Sequence, residues 1–273
     1  MVRSLEMLKE YLSNFRSALI AFSGGVDSGV LAAVSQDVLG DDAVAITVIS
    51  QVTPRREIED ARKVAEEIGI KHEFIEVDIL SDENFVENTP DRCYFCKKKI
   101  LSILNDFAKT EGYSAIFEGT NYDDLSEHRP GYKAVLEFQN VFSPFVELRI
   151  GKEEIRNIAK SMGLSFYCKP SLACLATRIP FRRRIKDEEL RKIDEAEDFV
   201  IQKTGVSQLR IRNLDGIAVI ETGRDERERL FSKEIMDEIA EHLRKIGFRR
   251  VLLDIEGYRS GKVMSLGELK DDF

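Results

Sequence analysis

The residues with the clearest chemical potential form one short string, Ser23-Gly24-Gly25-Val26-Asp27-Ser28, between an apolar segment and a helical pattern. Paired glycines let backbone N–H groups approach an anion closely, and the start of the helix adds a favourable dipole. Ser23 and Ser28 add hydroxyl donors, whereas Asp27 is suited to hold Mg²⁺ against a phosphate. The alternative is a plain tight turn with Ser28 as a helix cap. The whole string in this setting favours a phosphate-binding loop.

This loop lacks the lysine that reaches the phosphates in a Walker A motif. It resembles instead the PP-loop of the ATP pyrophosphatases, which cleave ATP between the α- and β-phosphates to give AMP and pyrophosphate. The resemblance implies an α/β fold with a Rossmann-like parallel sheet, the adenine nucleotide alpha hydrolase-like PP-loop fold. ATP would then bind at the carboxyl ends of the strands.

A second string, Glu118-Gly119-Thr120-Asn121-Tyr122-Asp123-Asp124, follows the fourth apolar segment. In the same superfamily a similar loop faces the nucleotide, which implies nucleotide contacts for Gly119 and Thr120. A carboxylate here would complete a Mg²⁺ site with Asp27, and its position favours Asp124 over Asp123. An Asx-rich turn is the alternative. By resemblance alone, Ser50 at the end of the second strand lies beside the adenine.

The chain has four cysteines, at positions 93, 96, 168 and 174. Cys93 and Cys96 open a predicted helix, where the helix dipole favours thiolates. A redox pair, a zinc site completed by Cys168 and simple burial are the alternatives. The hypothesis we favour is a 4Fe-4S cluster held by Cys93, Cys96 and Cys174, because three protein thiolates leave one iron open to bind sulfide. Cys168 receives no role.

Five segments together resemble the LarE family, and the resemblance covers nearly the whole chain: SGGVDS, GTNYDD, SPFVELRIGKEEIR, KPSLACLATRIP and GVSQLRIR. It implies an ATP- and Mg²⁺-dependent sulfur transferase in nickel-pincer cofactor synthesis. LarE proteins adenylylate a carboxylate of pyridinium-3,5-biscarboxylic acid mononucleotide and convert it to a thiocarboxylate. Some sacrifice the sulfur of one cysteine and are left with dehydroalanine. Others carry three cysteines and are thought to use an iron–sulfur cluster with an external sulfur source.

The resemblance also implies roles for single residues. The donor cysteine of the family falls on Cys174, and the further cysteines match the three-cysteine type, so turnover should be catalytic. Arg210 and Arg212 lie two apart on a predicted strand and so share one face, where they suit a phosphate or carboxylate. In LarE-like proteins these arginines are associated with the substrate's phosphate. Arg178 is a candidate for steadying the acyl-adenylate, and Glu221 for a substrate-side metal or polar site.

Composition bounds the cellular setting and the partners. The 273 residues carry a formal net charge of -8 with 33% charged residues, which argues against broad nucleic-acid binding. A basic stretch at residues 182–186 is either a solvated face or an anion site. No apolar run approaches the roughly 20 residues that span a bilayer, and no secretory signal is visible. We expect a cytoplasmic protein, with a small-molecule nucleotide and a sulfur donor as partners. The family resemblance also implies that the protein forms a homo-oligomer.

Alternating apolar and amphipathic segments predict the elements that position these residues. Strands are expected at 17–22, 43–49, 73–77 and 115–118, with helices at 28–38, 54–68 and 93–110 between them and a further βα unit near 142–162. Such alternation implies a parallel sheet covered on both faces. We predict a PP-loop domain at 1–165, a cysteine-containing loop at 166–185 and a smaller C-terminal α+β domain at 186–273.

Three other functions fit parts of this pattern. A tRNA thiolase of the PP-loop superfamily would use the basic stretch at 182–186 to hold RNA, which the acidic net charge opposes. An ATP-dependent amide synthetase would use ammonia, so its cysteines would be idle. A nucleotide-binding regulator would release no pyrophosphate.

Overall fold

The computed structural model describes residues 3–126, 130–170 and 173–258. They fall into two compact units, one made of 3–50, 55–79, 91–126 and 130–170 and the other of 51–54, 80–90 and 173–258. The predicted division at residues 165 and 185 stays a prediction. Across the described ranges, no helix has both the length and the apolar character needed to cross a bilayer.

The strands, numbered along the chain, are β1 Ala18–Ala21, β2 Ala43–Ile49, β3 Lys71–Glu76, β4 Ala115–Glu118, β5 Val141–Phe142, β6 Leu209–Leu214, β7 Ile217–Thr222 and β8 Arg250–Leu253. The helices are α1 Arg3–Leu12, α2 Val26–Leu39, α3 Arg55–Ile68, α4 Glu83–Val86, α5 Arg92–Glu111, α6 Pro130–Val135, α7 Pro144–Glu147, α8 Lys152–Ser161, α9 Asp187–Thr204 and α10 Lys233–Lys245.

The first unit contains a parallel sheet with the strand order β3-β2-β1-β4-β5. The order reverses between β1 and β4, and ligands of open α/β sheets bind at such a switch point. Ala21 and Glu118 lie opposite each other at the carboxyl ends of these two strands. The loops that follow β1 and β4 therefore start side by side, and the predicted Rossmann-like α/β fold class is confirmed.

Alternate residues of the central strands pack into two separate hydrophobic cores. Ile20 and Phe117 pack into the larger apolar cluster with residues of α1, α2 and α8. Leu19 and Ile116 point to the other face and pack with Leu101 and other residues of α5. Side chains of a strand alternate between faces, so a strand that is apolar throughout must be covered on both sides. The sheet is accordingly a rigid base for the loops at its carboxyl edge.

The second unit contains the smaller α+β structure that the sequence predicts. β6 and β7 form an antiparallel hairpin, and β8 joins β7 in parallel. The tight turn of the hairpin uses Asp215 and Gly216, both with positive φ. The long helix α9 ends at Gly205, which adopts the left-handed conformation common at helix ends.

Several elements differ from the prediction, among them α2, which begins two residues earlier than expected, at Val26. β3 begins two residues earlier than expected, at Lys71, because an edge strand with charged residues shows no clear apolar start. The short helices α4 and α6 were not predicted, since four to six residues are too few to display helical periodicity.

Candidate functional site

A cavity of about 360 Å³ lies at the carboxyl edge of the sheet, entirely within the first unit. Its walls come from the β1–α2 loop (residues 23–28), the β4 loop (residues 119–126) and side chains of α5 and α8, together with the segment after α8. The lining residues are Ala21, Ser23, Gly25, Val26, Asp27, Ser28, Lys97, Glu118, Gly119, Thr120, Asp124, Lys152, Arg156, Lys169 and Pro170.

The β1–α2 loop is held tightly by its own hydroxyl groups and by α3. The Ser28 hydroxyl accepts from the Ser23 N–H at 3.1 Å, and the two hydroxyl oxygens lie 3.0 Å apart. Gly24 has a φ of +69°, and a Cβ at this position would lie 2.6 Å from the Ala61 Cα. Glycine is therefore required here both for its conformation and for the close approach of α3.

The β1–α2 loop and the β4 loop are closely packed against each other. A Cβ added to Gly119 would lie 3.1 Å from the Ser28 nitrogen, which belongs to the first turn of α2. The Asp27 carboxylate accepts from the Asn121 amide at 2.8 Å, which joins the two loops a second time. The two strings that the sequence singles out are thus brought together, with the start of α2 at the cavity.

Two carboxylates enter the cavity, one from each loop. Burial raises the pKa of Asp27, the nearby charge of Asp124 raises it further, and the Asn121 hydrogen bond opposes the rise. Asp124 is buried and pairs with the Lys152 ammonium at 3.0 Å. A half-buried carboxylate, Asp27, and a buried one, Asp124, that line one cavity are a donor set that suits a divalent cation such as Mg²⁺.

Asp123 has a different surrounding from Asp124. Its carboxylate accepts from the Lys152 backbone N–H at 2.7 Å and lies within 3 Å of the position that a Cβ of Gly151 would take. It thus satisfies a free donor at the start of α8 and does not line the cavity.

Three cationic side chains from the second half of the unit surround the cavity. Lys152 and Arg156 lie four residues apart on α8 and share one face. The Arg156 guanidinium donates to the carbonyl oxygens of Tyr167 and Lys169, at 2.6 and 3.0 Å. Lys169 donates to the Gly24 carbonyl at 3.1 Å and pairs with Asp60 at 2.8 Å. Positive charge that the β1–α2 loop itself lacks is therefore supplied by α8 and the segment after it.

The Glu118 side chain is buried at the end of β4 and contacts several polar side chains. It pairs with Lys97 of α5 at 2.9 Å, and it also accepts from the hydroxyl groups of Thr120 and Ser143. Burial acts to raise the pKa of Glu118, but the Lys97 charge and these hydrogen bonds outweigh it and hold that pKa below its ordinary value. The carboxylate is therefore ionised and fully partnered.

Cys93 and Cys96 lie at the start of α5, in the first unit. They are three residues apart and so share one helix face; Cys93 is exposed and Cys96 half-buried. Cys168 is exposed in the short 3-10 turn after α8. Among the described residues, no group of three or more His, Cys, Asp and Glu side chains is arranged to hold a metal ion.

Cys174 lies in the second unit, directly before a 3-10 turn, and is half-buried. Ser171 and Leu172 of its segment lie outside the described residues. The Arg178 side chain has no solvent exposure and donates to the carbonyl oxygens of Ala173 and Cys174 at 2.6 and 3.0 Å. Its other nitrogens make a two-bond contact with Glu197. Arg178 thereby fixes the backbone on both sides of Cys174.

Arg210, Arg212 and Glu221 form a second charged cluster, on the β6–β7 hairpin. Arg212 donates twice to one Glu221 oxygen, at 2.9 and 3.1 Å, and its third nitrogen donates to the Thr177 carbonyl. Arg210 lies opposite Glu221 in the register and above the ring of Tyr258. All three charged side chains are buried. The other Glu221 oxygen has no hydrogen-bond partner within the described ranges.

Ser50 directly follows β2 at the same edge of the sheet, and its place beside the adenine stays a prediction. The side chains that sequence reasoning missed are Lys97, Lys152, Arg156, Lys169 and Glu197, none of which was given a role. They come from α5, α8, the segment after α8 and α9, so no local string unites all of them. Only the four-residue spacing of Lys152 and Arg156 on an amphipathic helix could have pointed to a shared face.

Comparisons with known proteins agree with this geometry. The sequence profile of the NAD synthase family matches residues 1–95, which include the β1–α2 loop. The chain is 38% identical over 259 residues to an uncharacterized protein of Synechocystis sp., covering 95% of this chain and 96% of that protein. It is 34% identical to an uncharacterized protein of Methanocaldococcus jannaschii, covering 93% and 94%. It is 31% identical to the pyridinium-3,5-bisthiocarboxylic acid mononucleotide synthase of Lactiplantibacillus plantarum, covering 92% and 90%.

Proposed function

The chain belongs to the LarE family of PP-loop enzymes, and from this membership we propose that it is an ATP-dependent sulfur transferase. Its proposed substrate is pyridinium-3,5-biscarboxylic acid mononucleotide, whose carboxylate it adenylylates and converts to a thiocarboxylate. The observation that carries the proposal is the cavity at the switch point. There, the β1–α2 loop, three carboxylates and four cationic side chains face one space.

In the first step, a carboxylate oxygen of the substrate attacks the α-phosphorus of ATP. The bond between the α-phosphorus and the bridging oxygen breaks, and pyrophosphate leaves. The N–H groups of the β1–α2 loop and the start of α2, together with Lys152 and Lys169, would stabilise the charge on the departing group. Asp27 and Asp124 would hold Mg²⁺, which neutralises phosphate charge when bound.

In the second step, a sulfur nucleophile attacks the carbonyl carbon of the acyl-adenylate. The carbon–oxygen bond to AMP breaks, and AMP leaves with that oxygen, because a mixed anhydride has a far better leaving group than a free carboxylate. The protein's contribution is to hold the two reactants in line and to keep water away. The Cys174 turn is held by Arg178, whose complete burial and backbone contacts support a positioning role.

The sulfur carrier of this proposed reaction is a 4Fe-4S cluster held by Cys93, Cys96 and Cys174. Its support is the donor chemistry: two thiols share a helix face at the positive end of α5, and the third belongs to the segment that resembles the family's donor. When bound, such a cluster would offer one iron to sulfide. Anaerobic purification followed by iron and sulfide analysis tests this proposal. A colourless protein with stoichiometric zinc would contradict it.

For the substrate site, the proposal gives Arg210 and Arg212 the substrate's phosphate and Glu221 a polar or metal contact. The support is the burial of both guanidinium groups on one hairpin, where Arg212 pairs with the buried Glu221 carboxylate.

The deciding experiment mixes the protein with ATP, Mg²⁺, sulfide and the pyridinium nucleotide under anaerobic conditions. We expect AMP, pyrophosphate and a nucleotide in which sulfur replaces oxygen, detected by mass spectrometry. Cys174→Ala should abolish the thiocarboxylate and spare pyrophosphate release, while Cys168→Ala should leave both unchanged. Absence of AMP from the wild-type protein would refute the proposal.

The basic stretch at 182–186 gives little support to the tRNA thiolase alternative. Arg183 pairs with Glu189 and Asp215, and Arg184 makes a two-bond contact with Glu83. Guanidinium groups already paired with carboxylates offer less charge to a phosphate backbone. A gel shift with tRNA at two salt concentrations tests this alternative directly. For the amide synthetase, alanine at positions 93, 96 and 174 together should leave activity intact.

A further inference from the structure

Three consecutive lysines follow the two thiols of α5, and each is held in a different direction. Lys97 pairs with Glu118 at the end of β4, Lys98 pairs with Glu137, and Lys99 donates to the Asp78 carbonyl. Of these three, Lys97 lines the cavity. The residue that directly follows Cys96 is therefore anchored at the edge of the sheet where the β1–α2 loop also begins.

The Lys97 anchor differs physically from its neighbour. Glu118 is 1% exposed and Lys97 29%, whereas the Lys98–Glu137 pair is 47% and 39% exposed. Exposed pairs contribute little because water screens them, but a buried carboxylate strongly resists losing its partner. Glu118 is also fixed by Thr120 and Ser143, so its position is set by β4 and the segment after β5. The Lys97 ammonium is therefore held at one position, beside the Glu118 carboxylate.

The first turn of a helix is also where a helix frays most readily, because its N–H groups lack partners within the helix. Asp91 at the start of α5 makes no side-chain cap hydrogen bond. Cys93 lies in this first turn and Cys96 directly after it, so the packing of α6 near Cys93 and the side-chain anchors of α5 hold the two thiols in place. Among the three lysine anchors, the Lys97–Glu118 pair is the buried one that reaches the proposed nucleotide site.

We propose that the Lys97–Glu118 ion pair fixes the two-cysteine turn of α5 at the cavity and that Lys97 is a positioning residue for the sulfur-transfer step. This inference rests on the proposed function and adds residues that act through the cysteines. Glu118 already neutralises the Lys97 ammonium, so the lysine acts on the helix more than on the nucleotide charge. Adenylylation should then depend on the pair far less than thiolation does.

The first test compares Lys97→Met with its matched control Lys98→Met, both measured for pyrophosphate release and thiocarboxylate yield. We expect Lys97→Met to lower the ratio of thiocarboxylate to pyrophosphate about tenfold or more, because small displacements of a reacting group cost large factors in rate. Lys98→Met should keep the wild-type ratio. If Lys97→Met lowers both products equally, or mainly raises the KM for ATP, the positioning role is wrong.

The second test uses the cysteines of the protein without substrate. Alkylation of the half-buried Cys96 by iodoacetamide, followed by peptide mass spectrometry, should be at least about threefold faster in Lys97→Met, because the turn opens more often, while the exposed Cys93 serves as the internal reference. Lys98→Met should label at the wild-type rate, and Lys97→Arg should restore it. Because no product is measured, this readout separates a failure of the positioning role from a failure of the proposed function.

A further variant guards against misfolding, since Lys97→Met alone leaves Glu118 charged and buried. The double variant Lys97→Met/Glu118→Gln removes both charges. It should fold, yet still label faster and still show the lowered product ratio. Wild-type labelling and a wild-type ratio in the folded double variant would overturn the proposal.

Discussion

Asp27 and Asp124 enter the same cavity but are held in different ways. Asp27 accepts a neutral amide hydrogen bond from Asn121, whereas Asp124 pairs with the Lys152 ammonium. The charge of Asp27 is thus the less compensated of the two, and burial and Asp124 raise its pKa. A carboxylate held at such a cost in the free protein is one that a bound cation would favour.

The first prediction concerns Asp27→Asn. We expect pyrophosphate release to fall at least about 100-fold, since a group that helps to stabilise transition-state charge is lost. The melting temperature should not fall, because an asparagine oxygen can still accept from Asn121 and a buried charge disappears. A pyrophosphate assay and thermal unfolding measure the two quantities.

The control for this prediction is Asp123→Asn. Its carboxylate serves the start of α8, so this variant should lose about 1 kcal/mol of stability and keep far more activity. An inactive Asp123→Asn beside an active Asp27→Asn would contradict the assignment of the two loop carboxylates.

Single residues were predictable where they lie in contiguous strings. Asp27 and Asp124 follow strands that end at one edge, so the strand order alone brings them near each other. Glu118, Lys97 and Lys169 were not assigned, because their shared cavity arises from elements far apart in the sequence. Such contacts depend on how helices pack on the sheet, which no local pattern encodes.

The second prediction concerns the close contact between helix α3 and the β1–α2 loop. Gly24→Ala and Gly112→Ala both place a side chain at positive φ, but Gly112, which ends α5 in the left-handed conformation, has no atom within 4 Å of the added Cβ. Gly112→Ala should therefore cost only about 1–2 kcal/mol. Gly24→Ala meets the backbone of Ala61 and should cost more and also abolish ATP binding. Chemical denaturation and calorimetry with ATP test this pair, and equal stability losses with retained ATP binding would contradict it.

The third prediction concerns the β2–β3 pair. His72 hydrogen bonds to Thr47 at 2.8 Å and packs between the rings of Phe22 and Phe74. Burial lowers the pKa of His72 from its ordinary value of 6.5, and the charge of Arg62 lowers it further. The folded state therefore favours the neutral ring, so this stabilisation is complete above pH 6.5 and is lost as the pH falls below it.

We expect His72→Gln to flatten the decline in unfolding free energy between about pH 6.5 and 5, because glutamine can keep a hydrogen bond to Thr47 but does not titrate. Urea unfolding at several pH values measures this change, with His242→Gln as the control. An unchanged decline in His72→Gln would show that the ring contributes nothing to it.

The elements that could be predicted are those with a long apolar or amphipathic pattern. β2 and β4 match their predicted bounds, since both are buried strands with sharp polar ends. The amphipathic α3 differs by one residue at its start. The edge strands and the short helices could not be placed well, because pairing and packing decide their ends more than composition does.

At the scale of the whole molecule, the two units carry different parts of the proposed chemistry. The first unit holds the cavity with Asp27 and Asp124, as well as Cys93 and Cys96. The second holds Cys174 and the buried Arg210–Arg212–Glu221 cluster. The chain is 31% identical to the pyridinium nucleotide synthase across both units. The sequence predicted a parallel sheet followed by a smaller α+β part because the alternation of elements changes along the chain.

The last prediction concerns the number of products that one protein chain can make. If Cys93, Cys96 and Cys174 hold a cluster that presents external sulfide, each chain should make several thiocarboxylates when ATP and sulfide are in excess. The intact mass of the protein should stay unchanged, because no cysteine gives up its sulfur. Quantitative mass spectrometry of product and protein from one reaction measures both, with Cys93→Ser as a variant that should lose turnover. A yield capped at one product per chain, with dehydroalanine at position 174, would instead make Cys174 a sacrificial donor and leave Cys93 and Cys96 without a role in sulfur delivery.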